Sequence, residues 1–479
     1  MFPGITRQLN MNTNSNKPGK PQRLTRRRFI KAGTAAALTA ASWNRVLGAN
    51  ERVGIGVIGF GLVGRIHTRN FKTQPDAQVV AVAETYRPRM EATMELVGGH
   101  VAQYRDFRKL LEDKSVDAVV VATPDHWHAL MTMLACSAGK DVYVEKPLTL
   151  FVREGRWMVN VARRHQRVVQ VGTQQRSGPH YQRARELIRR GRLGELVSVQ
   201  CNYFRNVTPG FGNPPDGNPP PELDYEMWLG PAPQRAYNPN RAIYHFRWFW
   251  DYSGGQMTNL GQHSLDTVHW ISGVKGPTAV TSAGGRFFLK DNCEVPDVQD
   301  VIIEYPGFQT VCQFRECAAG VAQTGMGGVA FHGNKGTMVL GRDGFEISPD
   351  KKEDPINIVA RIIGGHPVGG PQPVPGESGE KFWAEAAKDT SGDWKGQYVL
   401  HVRNFLDCIK SRQEPNSDLE SGHRVANVCH LANISLRAGR KIRWDAQKEE
   451  IIDDTEAAKM LVRPYRKPWD AELRAMGVA

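Results

Sequence analysis

Cysteine is scarce in this chain. Seven occur in 479 residues, at 136, 201, 293, 312, 317, 408 and 429, an odd number with no Cys-x-x-Cys pair. A disulfide framework and a cysteine zinc site are both excluded as organising features. No apolar run reaches the ~20 residues a membrane span needs, which excludes a multi-span membrane protein. Acidic residues are missing from residues 1–49, which hold nine basic side chains. The net charge of +13 is therefore mostly a property of that segment, and the remainder carries only +4. A phosphate-tracking surface for nucleic acid is not supported. What is present is an ordinary globular balance, 40% hydrophobic and 23% charged residues, in a chain long enough for two or three domains.

The first segment reads as an export address. Arg26-Arg27-Arg28-Phe29-Ile30-Lys31 precedes an Ala-rich stretch that ends at small residues, Leu47-Gly48-Ala49. A basic region, a short apolar region and a small-residue exit make a signal peptide, and the arginines resemble a twin-arginine (Tat) signal. No cysteine precedes Cys136, so no lipid anchor is expected at a cleavage site. The expected location is the periplasm, reached already folded.

Residues 50–173 read as a nucleotide-binding domain. A strand at Val53–Ile58 enters Gly59-Phe60-Gly61-Leu62-Val63-Gly64, a helix follows, and a second apolar run ends in Glu84. Strand, G-x-G-x-x-G, helix, strand, acid is the dinucleotide fingerprint, with the helix N-terminus facing the pyrophosphate. Glu84 should accept from a ribose diol and repel a 2′-phosphate, which favours NAD over NADP; Arg87 and Arg89 nearby weaken that preference. Strands and helices keep alternating to Val171, which implies a parallel doubly wound sheet. Ligand contacts then belong at strand carboxyl ends: Thr123-Pro124, Glu145-Lys146-Pro147 and Gln174-Gln175-Arg176.

The order of Gly59-x-Gly61-x-x-Gly64, Thr123-Pro124…His128, Glu145-Lys146-Pro147 and a later Gly261-x-His263-x-x-Asp266 resembles the glucose–fructose oxidoreductase/inositol dehydrogenase (Gfo/Idh/MocA) family. The resemblance covers roughly residues 52–345 and, more loosely, the C-terminal helices. It implies an α/β fold: an N-terminal Rossmann domain, then a C-terminal α/β domain with an open, mostly antiparallel sheet over 174–452. The substrate, mostly a sugar or cyclitol in this family, would sit between that sheet and the nicotinamide. A homodimer or homotetramer is implied. Stretches rich in Pro and Gly near 206–240 and 349–395 read as insertions, lids or interface arms. Residues 453–479 read as a surface-wrapping tail.

Asn259, His263 and Asp266 fall at i, i+4 and i+7, on one face of an expected helix, with Gly261 allowing close backbone approach. The family usually places an Asp where Asn259 stands. An Asp would make the imidazole more basic, whereas an Asn can only hydrogen-bond. Proton transfer is assigned to His263, with Lys146 as the alternative; Lys146 would hold the substrate oxygen. Asp266 either orients His263 or packs within its helix. The resemblance places His128 near the nicotinamide, Glu145 and Gln174 are cofactor contacts expected from their strand-end positions, and the spacing of His126, His128, His263 and Asp266 does not suit a metal, so none is expected. Arg176 and Tyr181 are substrate-side expectations. The aromatic stretch 244–252 offers Tyr244 for sugar stacking and Arg247 for hydroxyls or a carboxylate, or else serves as a core or dimer strand. The leading expectation is an exported NAD-dependent sugar or cyclitol oxidoreductase with retained cofactor. The alternatives are a glycoside-cleaving enzyme working by transient oxidation and elimination, and a non-catalytic NAD-carrying protein.

Overall fold

The computed structural model describes residues 52–99, 101–318, 328–350 and 382–478. The twin-arginine segment and most of the 349–395 stretch lie outside the described residues.

The first domain is a six-stranded sheet. Its strands are β1 (Val53–Ile58), β2 (Ala77–Ala83), β3 (Ala102–Tyr104), β4 (Ala118–Val121), β5 (Asp141–Val144) and β6 (Val169–Val171), in the order β3-β2-β1-β4-β5-β6. Every pairing is parallel. The central strands β1, β4 and β5 are buried along their whole length, as their unbroken apolar runs require when helices cover both faces. The connecting helices are α1 (Leu62–Lys72), α2 (Arg87–Val97), α3 (Phe107–Glu112), α4 (Asp125–Ser137) and α5 (Val152–Arg164). Asp106 caps α3, accepting from the Arg108 N–H at 2.9 Å. The strand order reverses between β1 and β4, so the glycine-rich turn after β1 opens into the crevice where doubly wound sheets take their ligands.

The second domain begins with α6 (Pro179–Arg189) and β7 (Leu196–Phe204). Its polar helix pair is α7 (Gly255–Asn259) and α8 (Gly261–Ser272). The other long strands are β8 (Ala279–Gly285), β9 (Val298–Tyr305), β10 (Phe308–Arg315), β11 (Val329–Gly333), β12 (Gly336–Gly341) and β13 (Gly344–Pro349). With three short strands, β14 (Ala387–Asp389), β15 (Ile442–Asp445) and β16 (Glu450–Ile451), they form a ten-stranded sheet, β14-β13-β12-β11-β7-β10-β9-β8-β15-β16. One pair, β7 with β10, is parallel, and the others are antiparallel. One sheet face buries Val199, Cys201, Cys312 and Phe314 against α8 and α10 (Leu419–Ala438). All seven cysteines are free.

The C-terminal segments do not keep to the boundaries read along the chain. Helix α9 (Trp394–Ser411) returns to the first domain and packs Val402, Phe405 and Leu406 beside Phe71 and Tyr143. The tail is more than a wrapping strap: Trp469 is 4% exposed and sits among Phe107 and Trp127 of the nucleotide domain. Tyr465 donates to the buried Glu154 at 2.7 Å. The 206–240 stretch folds onto the carboxyl end of β2, where the Asp224 N–H donates to the Thr85 carbonyl at 2.9 Å. Its Leu223, Trp228 and Leu229 join Phe246, Trp248, Phe249 and Tyr252 in a separate buried cluster. The aromatic stretch is thus mainly core, for which its density of large apolar rings suffices, and it forms a 3-10 turn at His245–Trp248 rather than a strand.

Candidate active site

The glycine-rich turn is shaped by contacts that tolerate no side chain. Gly59 has φ +87° and lies against the Ala122 carbonyl. A Cβ on Gly64 would run into the Gly59 carbonyl oxygen. At Gly61 the space is open, and the nearest atom to an added Cβ is Arg89 Nη1 at 3.7 Å. Leu62 and Val63 form the first turn of α1 beside it, so the free N–H groups there face the same crevice. Glu84, at the end of β2, accepts from the Phe60 N–H at 2.7 Å through one oxygen and from the Thr85 and Tyr86 N–H groups through the other. It therefore ties the turn together as well as lining the cleft with Thr123, Pro124, Met227 and Trp228. Thr123 Oγ1 is buried there without a partner. An open cradle at Gly61, an orphaned hydroxyl and an acid at the β2 end fit an NAD molecule. Arg87 turns away to Glu91 and Glu222, whereas Arg89 faces the cleft.

Lys146 lies where this cleft meets the second domain. Its Nζ donates to the Asn259 carbonyl at 2.9 Å and to Asn259 Oδ1 at 3.0 Å, leaving its third N–H for a ligand. Burial, with a smaller push from Arg247 and Arg342 against the pull of Glu145 and Asp125, lowers its ammonium to about 8. Asn259 thus serves Lys146, and its Nδ2 donates to Gln256 at 3.1 Å. It does not orient His263, because α7 ends at Asn259 and α8 starts afresh at Gly261. The expected single helix is two. Gly261 packs against the Met257 and Phe314 side chains more closely than against any backbone. His263 faces the cavity of the second domain, and its Nδ1 is buried without a partner. Burial, then the charges of Lys146 and Arg342, holds its imidazole well below the ordinary range, so it is neutral.

Glu145 lies beneath Lys146. Its Oε1 accepts from His67 Nε2 at 2.6 Å, and its Oε2 from the Lys146 N–H at 3.0 Å. Burial pushes this carboxyl up, but the His67 hydrogen bond and charge outweigh it, and it stays ionised. The sequence gives no local signal for His67, which reaches it from α1.

Four expected site residues stand elsewhere. Asp266 neither orients His263 nor idles in its helix. It makes a two-pronged ion pair with Arg176, at 2.6 and 2.8 Å, with both side chains buried. Arg176 also donates to the Asn416 carbonyl and Ser421 Oγ, so four of its five N–H donors are engaged inside the protein. Tyr181 is 2% exposed within the second core, its phenol pushed up to about 12 by burial. His128 sits between two carbonyls, of Pro147 at 2.6 Å and Thr123 at 2.9 Å, and joins two strand-end loops rather than reaching into the cleft. Gln174 is buried with its Oε1 unpartnered. Tyr244 is 51% exposed, and Arg247 lines the crevice with Lys146, its guanidinium over the Phe246 ring.

Sequence reasoning missed several residues. Asp125, which accepts from Ser253 Oγ, is buried in the cofactor-side crevice, and burial raises its carboxyl above the usual range. Gln175, Tyr203 and Arg342 line the cavity that His263 faces. Gln175 belongs to a strand end already expected to hold ligand contacts; Tyr203 lies on β7 and Arg342 on the turn between β12 and β13, and no local pattern says that either reaches this cavity.

With that geometry in place, comparison with known proteins decides the family. Residues 53–173 match the model of an oxidoreductase family with an NAD-binding Rossmann fold, and residues 204–282 and 396–471 match that family's C-terminal alpha/beta domain. The chain belongs to the Gfo/Idh/MocA oxidoreductase family. It is 31% identical over 401 residues to scyllo-inositol 2-dehydrogenase (NAD(+)) of Bacillus subtilis, covering 83% of this chain and 98% of that protein. It is 30% identical to myo-inositol 2-dehydrogenase of Thermotoga maritima, covering 83% and 99%. Among solved structures, levoglucosan dehydrogenase in complex with NADH and levoglucosan aligns with a TM-score of 0.61 at 16% identity, over 82% of this chain and 99% of that one. The WlbA dehydrogenase of Bordetella pertussis aligns at 0.60 and 18%, over 82% and 99%. The two sheets have the arrangement this family implies, and the chain is an oxidoreductase that uses NAD.

Proposed function

We propose that this Gfo/Idh/MocA protein oxidises a secondary hydroxyl of a sugar or cyclitol. One observation carries the reading: Lys146 lines the NAD crevice, the unpartnered His263 faces the adjoining cavity of the second domain, and the two are near enough for the lysine charge to lower the proton affinity of the imidazole. NAD, when bound, supplies the two-electron acceptor. Neutral His263 takes the hydroxyl proton as hydride leaves the same carbon. The free N–H of Lys146 binds the substrate oxygen and stabilises the charge that grows on it before a carbonyl forms. Asn259 fixes the ammonium by two hydrogen bonds, so no reorganisation is needed during the reaction. Absorbance of NADH across a panel of inositols, hexoses and glycosides tests this, with aglycone release scored in parallel. Net NADH with no aglycone is the expected result; aglycone without NADH points to elimination chemistry instead.

We also infer that the enzyme is exported with its NAD already bound. The supports are the Arg26-Arg27-Arg28 segment and the packing of Met227 and Trp228 over the nucleotide crevice. Slow cofactor release is what such an enzyme needs where free NAD is scarce. Mass spectrometry of the mature, dialysed protein should find stoichiometric NAD(H); an empty protein that works only with millimolar added NAD overturns this. A homodimer or homotetramer is proposed from the sheet's exposed Val197 and Ile302, and light scattering at micromolar concentration checks it.

A further inference from the structure

The cavity that His263 faces has a volume of about 840 Å³ and is far larger than the catalytic pair requires. Its wall carries several charges, most of them already neutralised. Lys388 pairs with Glu346 at 2.9 Å, and Asp389 pairs with Arg183 at 3.1 Å. Arg342 is different. It lies on the tight turn between β12 and β13, half-buried, and its guanidinium makes no hydrogen bond or ion pair among the described residues. Asp343, next on the same turn, is exposed and does not pair with it.

The turn is fixed by its backbone. The Gly341 carbonyl is bonded by His180 at 3.1 Å, the Arg342 carbonyl by Gln397 Nε2 at 3.4 Å, and the Asp343 carbonyl by the Gly392 N–H at 3.1 Å. Two separate segments, α6 and the start of α9, therefore hold the base of a cation that itself holds nothing among the described residues. Arg342 is also close enough to both Lys146 and His263 to depress their proton affinities, so its charge is felt at the reacting atoms. Gln175 Oε1, on the same wall, is buried without a partner and waits for a donor such as a sugar hydroxyl.

We propose that the substrate is an acidic sugar of the uronate class, its carboxylate bound by Arg342 while the hydroxyl to be oxidised lies between Lys146 and His263. A guanidinium presents a planar pair of N–H donors that matches a carboxylate, and a half-buried position makes that pair stronger than one in open water. The anion also adds to the pull of Glu145 and Asp125 against the clustered positive charges of Lys146, Arg247 and Arg342. Exposed Trp394 and buried Tyr203 line the same cavity and offer apolar faces to the sugar ring.

This inference rests on the dehydrogenase reading, and its test separates the two. The full-length NAD-loaded protein is titrated calorimetrically with methyl hexuronides, each beside its neutral methyl hexoside and the corresponding hexose 6-phosphate. The same compounds are assayed for NADH. The uronide should bind about 10- to 100-fold more tightly than its neutral partner. Arg342→Gln should collapse that ratio, and Arg342→Lys should restore part of it. Equal binding of acid and neutral sugar, preference for the phosphate, or a ratio unmoved in both variants overturns the assignment. Tight, Arg342-dependent uronide binding without NADH formation upholds the assignment and sinks the dehydrogenase reading. Oxidation of neutral sugars with no acid preference does the reverse.

Discussion

Two arginines border the same active region and have opposite fates. Arg176 is buried and met by Asp266 at 2.6 Å, with further bonds to Asn416 and Ser421. Arg342 is half-buried on a braced turn and met by no partner among the described residues. Sequence position favoured Arg176, which follows a Rossmann strand end, and gave no reason to notice Arg342. A cation at a strand end is not a ligand site if the fold supplies its counter-ion. A cation left bare in a cavity is available to a ligand.

The largest test of this contrast is at the shared centre. Lys146→Ala should lower kcat/KM by about 10³- to 10⁴-fold, and His263→Ala by about 10²- to 10³-fold, in steady-state assays of NADH formation. Both variants should keep bound NAD by mass spectrometry, because neither residue makes the phosphate contacts.

The next effect is on stability. Asp266→Asn or Arg176→Met alone strands a buried charge and should cost about 3–5 kcal/mol in denaturant unfolding. Replacing both with apolar residues should recover most of that loss. Arg342→Gln, with no partner to strand, should shift stability by less than about 0.5 kcal/mol.

A smaller effect lies in the pH profile. Lys146 is lowered to about 8, chiefly by burial, and loses its proton as pH rises through that value. If the ammonium binds the substrate oxygen, kcat/KM falls about tenfold per unit above pH 8; if Lys146 is the base, it rises up to about pH 8 and then levels off. His263 must be neutral, and its lowered proton affinity puts the acid limb well below the usual histidine range. Removing the Arg342 charge should move the Lys146 limb upward. Smallest of all, Glu84→Ala should narrow the preference for NAD over NADP in equilibrium binding, since Arg89 remains in the cleft.

The comparison also shows how much was legible in the sequence. Strands at Val53–Ile58, Asp141–Val144, Leu196–Phe204 and Val298–Tyr305, and helices at Phe107–Glu112 and Leu419–Ala438, are written in local periodicity and punctuation. The nucleotide turn is legible for the same reason, because its glycines answer backbone demands a few residues apart. Lys146 was legible because a strand end fixes where the next side chain emerges. The tie from Asn259 to Lys146 was not, since it spans 113 residues. Nor was the return of α9 and Trp469 to the first domain, where apolar faces alone do not say which core they join.

The sequence by itself determined the two-domain order and the dinucleotide turn, both carried by short-range spacing, while Lys146 and His263 were singled out with the help of the family resemblance. Only the tertiary structure decided that Asn259 serves Lys146, that Asp266 silences Arg176, and that Arg342 faces the cavity unpaired. Each of those outcomes depends on which distant charge or carbonyl comes within hydrogen-bonding reach, and that is set by the packing of one domain on the other.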